Sequence, residues 1–80
     1  MTAEQLVEQL LALPMPDDTV QLMTEESGAG EPWLAARTCL GDAVGEGFDI
    51  PLDLVRQVRE IFPDLNEYVD AVIAARRYSV

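Results

Sequence analysis

Five prolines cut this chain into pieces, and within each piece the apolar residues return every three or four positions. Pro14, Pro16, Pro32, Pro51 and Pro63 stand where a continuous helix would break, because proline lacks the amide hydrogen and its ring collides with the preceding turn. A spacing near 3.6 marks amphipathic helix, and no segment alternates with period two for long enough to suggest a strand. The pattern predicts an all-α fold, a compact bundle of about five short helices forming a single domain over residues 1–80.

The first piece carries the clearest signal. Thr2 with Gln5 three residues on forms a capping box, and Leu6, Leu10 and Leu13 make a stripe that Val7 and Leu11 widen. Asp17 and Asp18 suit the start of a second helix, with Val20, Leu22 and Met23 as its apolar side. Ser27, Gly28, Ala29 and Gly30 read as a loop. Pro32 opens a third helix, in which Trp33, Ala36, Leu40 and Val44 trace one face while Leu34, Ala35, Cys39 and Ala43 cover much of the rest. A helix apolar around most of its circumference is expected at the centre of the fold. Gly45 and Gly47 are expected to end it.

A fourth helix opens at Asp49, Ile50 and Pro51 and carries the stripe Leu54, Val55, Val58, Ile61 and Phe62, with Arg56, Gln57, Arg59 and Glu60 opposite. Asp64 and Glu67 resemble a capping pair for a fifth, whose inner face is Leu65, Val69, Val72 and Ile73. Arg76 and Arg77 fall where cations favour a helix C-terminus, and the last three residues are expected to fray.

Charge bounds the partners. The chain has fifteen acidic residues against five arginines, with no lysine and no histidine, for a net charge of −10. Residues 1–31 hold seven of the acids and no basic residue. Such a field repels phosphate backbones and anionic headgroups, so neither direct nucleic-acid binding nor membrane binding is expected. It attracts basic surfaces and speeds encounters with them. The competing account is solubility or adaptation to salt, for which acidic surfaces are common. No apolar run approaches the ~18 residues of a membrane span, and no basic-then-apolar leader opens the chain. Cys39 is the only cysteine, so no internal disulfide is possible; a reducing, cytoplasmic setting is the expectation.

The sequence offers little for catalysis. Absence of histidine removes the commonest general base, the usual triads and most zinc sites. Cys39 lies in an apolar stretch and reads as a buried, inert thiol. Pairs such as Glu4 with Glu8 and Asp49 with Asp53 read as solvated faces. Asp42, Glu46, Gly47 and Asp53 fit parts of a calcium loop, but Val44 fills a ligand position and Pro51 interrupts the run. No glycine-rich phosphate loop is present, and helices four and five make a poor helix-turn-helix because Glu67 and Asp70 occupy the reading helix. Acyl carrier proteins share the size, acidity and helicity, but they attach their arm to a serine in Asp-Ser-Leu, whereas Ser27 lies in Glu-Ser-Gly and Ser79 beside the C-terminus. No enzyme activity, cofactor or metal is expected.

What remains is a binder. Glu4 and Glu8 are like charges one helical turn apart, which destabilises a helix by a few tenths of a kcal/mol. Stability alone would intersperse the signs, whereas a steering face uses one. The expectation is a small acidic module that docks Glu4, Glu8, Asp17, Asp18, Glu25, Glu26 and Glu31 on a basic protein partner. Immunity proteins, antitoxins and phage-encoded inhibitors of the anti-CRISPR kind share this profile, and some mimic nucleic acid by placing carboxylates where phosphates would lie. The partner would then be a toxin or a nucleic-acid-binding enzyme. Trp33 reads first as a core residue at a helix start, and otherwise as an aromatic anchor beside the acidic face. The alternative is a structural or assembly subunit, or a homodimeric adaptor, with an apolar interface.

Overall fold

Each predicted helix has a physical start and stop in the computed structural model, which describes the backbone of residues 1–78 and the side chains of 1–76. Five α-helices follow in order: α1 (Ala3–Leu11), α2 (Asp17–Gly28), α3 (Pro32–Glu46), α4 (Leu52–Ile61) and α5 (Asn66–Tyr78). A 3-10 turn over Pro63–Leu65 joins the last two, and the described residues contain no strand.

The N-terminal capping box is formed in full. The Gln5 amide donates to Thr2 Oγ1 at 3.1 Å, and the Thr2 amide donates to Gln5 Oε1 at 2.9 Å. α1 ends at Leu11, short of the expected Leu13, because a residue before proline is pushed out of the helical region. Leu13 still packs on the core from outside the helix.

α2 runs on through Ser27 and Gly28, which read as loop in the sequence. The turn at Ala29 and Gly30 takes up the reversal, with Gly30 at φ 78°, a left-handed conformation that glycine adopts without strain. α3 starts on Pro32 and continues past Gly45 to Gly47, whose φ of 79° supplies the left-handed cap. α4 opens three residues later than its Asp49 signal, at Leu52, and Ile50 is inserted fully into the core ahead of it. Asp64 belongs to the 3-10 turn, which has no side-chain cap, so the expected capping pair with Glu67 is replaced by backbone bonding. Of the residues expected to fray, Tyr78 is helical in backbone, and residues 79 and 80 lie outside the described residues. The side chain of Arg77 lies outside them too.

α3 is central, contacting α1, α2 and α5. Its buried arc is Ala35, Ala36, Cys39, Leu40 and Ala43, which differs from the face that Trp33 and Val44 had suggested. A helix packed on several sides needs small side chains so that its neighbours can approach, and the bulky Trp33 and Val44 are left at the surface. Leu6, Val7 and Leu10 of α1, Met23 of α2, Leu54, Val55 and Val58 of α4, and Val69 and Val72 of α5 complete one core with Leu65 and Ile50.

Two hydroxyl-to-carboxylate bonds tie α2 to α3. Thr19, which is buried, donates to Asp42 Oδ2 at 2.7 Å, and Thr38 donates to Glu26 Oε1 at 2.7 Å. Thr19 is the buried polar residue of the core, and its hydroxyl is satisfied by this bond.

Candidate acidic docking face

The helical period determines where the seven N-terminal carboxylates go. On α1, Glu4 and Glu8 are roughly 40° apart around the axis and point away from Leu6, Val7 and Leu10. On α2, Thr19 and Met23 face the core. Asp18, Leu22 and Glu25 then fall on the outer side, within roughly 60° of arc, flanked by Gln21 and Asp17.

Glu4, Glu8, Asp17, Asp18, Glu25 and Glu31 are all exposed, and their carboxylates have no hydrogen-bond or ion-pair partner among the described residues. Glu26 is different: it is half-buried and its carboxylate accepts the Thr38 hydroxyl, so it braces α2 against α3. The ion pair found among the described residues joins Arg59 to Asp70 at 2.8 Å, linking α4 to α5 away from the acidic third.

Leu22 departs from its expected place. It was expected on the apolar side of α2, yet it is 45% exposed, between Asp18 and Glu25 on the outer stripe. The neighbouring inward position, three residues earlier, is taken by Thr19, a polar residue whose hydroxyl is met by the distant Asp42. No local pattern announces a bond between residues 23 positions apart.

Trp33 is 36% exposed, which corrects its first reading as a core residue. The Arg37 guanidinium lies over its ring, 5.2 Å from the centroid, as the i, i+4 spacing on α3 allows. One ring face is therefore already covered by the chain's own cation. Trp33, Arg37 and Val44 share the exposed arc of α3 with Gly41 and Gly45, at both of which a β-carbon would meet nothing within 4 Å.

The remaining chemical candidates are placed as follows. Cys39 is fully buried; burial, reinforced by the nearby Asp42 charge, pushes its thiol up to about 12, and its sulfur lies 3.9 Å from Met15 Sδ. Ser27 is half-buried in the last turn of α2 rather than presented on a loop, and Ser79 lies outside the described residues. Asp42, part of the calcium-loop fragment, accepts from Thr19, while Glu46 and Gly47 close α3. Among the described residues no group of three or more His, Cys, Asp or Glu side chains is placed to hold a metal ion, and no helix is long and apolar enough to cross a membrane. Comparison with protein-family models, curated proteins and solved structures gives no significant match.

Proposed function

We propose that this chain is a non-catalytic protein-binding module that docks the outer face of α1 and α2 on a basic partner. It acts as an inhibitor or neutraliser in the manner of immunity proteins, antitoxins and phage-encoded inhibitors, its carboxylates taking the place of nucleic-acid phosphates on a toxin or nucleic-acid-binding enzyme. The observation that carries this reading is the stripe Asp18, Leu22, Glu25, an exposed leucine between two exposed carboxylates. Interface anchors combine an apolar centre with a charged surround, and the surround here has one sign.

The test compares the wild-type chain with an Asp18→Lys, Glu25→Lys variant as bait in extracts of the native host, followed by affinity measurements on the captured protein. A basic partner bound by the wild type, lost by the variant, and bound more weakly and more slowly as salt rises supports the reading. Capture that survives both charge reversal and high salt overturns it.

A second reading is favoured by a separate observation. The outer arc of α3 exposes Trp33 and Val44 beside Gly41 and Gly45, and neither backbone angle nor crowding requires glycine at those two positions. Glycine inside a helix costs roughly 0.5–1 kcal/mol relative to alanine, so a bare arc of this kind suits a helix face approached closely by another subunit. An assembly subunit or homodimeric adaptor using this face would associate with little dependence on salt, which sedimentation at two ionic strengths measures.

A further inference from the structure

The molecule has a pocket lined by the end of α3, the turn that follows it and α5. Where α3 ends and α4 has not begun, the chain from Gly47 to Ile50 turns across α5 and leaves a pocket of about 190 Å³. Val44, Phe48, Ile50, Val72 and Ala75 supply its apolar walls. Asp49 stands in the lining and is exposed, and exposed Glu46 and Asp53 flank the same turn in sequence. Arg76 also lines the pocket, and its guanidinium donates to the backbone carbonyl of Ile50, fastening the turn to α5.

Size narrows the occupant. Pockets for cofactors and drug-sized ligands run roughly 300–1,000 Å³. A cavity of about 150 Å³ takes a benzene molecule. This pocket therefore suits one ring. Charge narrows it further. A molecule of net charge −10 with exposed Asp49 in the lining, and with the Arg76 guanidinium engaged on the Ile50 carbonyl, favours a cation beside that ring. A second copy of this chain would bring the same excess of negative charge, and a nucleobase would bring phosphates. We propose that the pocket receives a phenylalanine side chain from a basic segment of a partner protein, with lysine or arginine next to the phenylalanine meeting Asp49. This site is separate from the α1 and α2 face and stands without it.

The test titrates capped peptides into the isotope-labelled full chain at low salt and follows its amide resonances. Lys-Lys-Phe-Lys-Lys should shift Val44, Phe48, Ile50, Val72 and Ala75 together. Replacing the phenylalanine by alanine should weaken binding by about ten- to a hundredfold, the effect of burying such a ring. Flanking glutamates in place of lysines should abolish it at low salt. Ala75→Leu, which fills the pocket, should remove binding, and Asp49→Lys at the rim should do so without touching the interior. Asp18→Lys with Glu25→Lys should leave it intact, so failure here and failure of the α1 and α2 docking face are separately visible. Equal binding of the phenylalanine and alanine peptides overturns the proposal. So do shifts confined to α1 and α2, and binding of toluene as tight as that of the basic peptide.

Discussion

α2 and α4 are both short helices entered through a proline N-cap with no side-chain cap, yet different chemistry holds each to the molecule. α4 buries a regular stripe, Leu54, Val55 and Val58, and its outer side mixes Arg56, Arg59 and Glu60. α2 buries only Thr19 and Met23 and is pinned to α3 by two hydroxyl-to-carboxylate bonds, while its outer side carries acids of one sign around Leu22. The difference teaches how to separate structure from surface purpose. α4 is accounted for by its own burial. The outer side of α2 combines Asp17 and Asp18, whose charge favours the helix start, with Leu22 and Glu25, which are exposed and lie outside the core.

The largest test of that contrast removes apolar burial from α4. Leu54→Ala is expected to lower unfolding free energy by about 2–5 kcal/mol in urea titrations, enough to unfold much of a domain this small. Next comes the pin of α2. Thr19→Val keeps the shape but deletes the donor to Asp42, and is expected to cost about 1–3 kcal/mol, with Thr38→Val costing less because Thr38 is half-buried whereas Thr19 is buried. A Thr19→Val effect below about 0.5 kcal/mol, typical of an unremarkable surface change, would erase the distinction between the two helices.

Smaller effects sharpen it. Gly41→Ala, on the open arc of the helix that α2 rests on, is expected to stabilise by roughly 0.5–1 kcal/mol and raise the melting temperature. Glu8→Lys turns a like-charged pair with Glu4 into an attractive one and is expected to stabilise by a few tenths of a kcal/mol, less at high salt. If the acidic face is a docking surface, the same change weakens partner binding while the fold gains, a divergence that calorimetry on the free and bound forms detects.

Much of the architecture was legible because its causes are local. Thr2 and Gln5 lie three residues apart, and the Leu54 to Ile61 stripe repeats within one helix, so neighbours in sequence carry the whole signal. The misread details have distant causes. Thr19 faces inward with its hydroxyl met by Asp42, and Leu22 lies exposed beside the acids. Trp33 was placed inside by its size, but α3 is crowded on its inner arc and admits alanines there. The seven carboxylates are legible as composition, and the side of its own helix on which each falls follows from the helical period, whereas the bracing role of Glu26 depends on Thr38 across the loop. The pocket at Asp49 could not be read from sequence, since it exists only where α5 crosses the turn after α3.

The single thiol makes this molecule its own clock. Cys39 sits at zero exposure among packed side chains, and no other sulfhydryl exists in the chain to compete for a label. An alkylating reagent can reach it only during an opening of the bundle, so the labelling rate under native conditions counts those openings directly. The same enclosure makes the fold sensitive to alkali. Above the ordinary thiol value of 9.0 the unfolded chain gives up a proton that the folded chain keeps until about 12, so stability should decline across that interval, and the decline should vanish in Cys39→Ala.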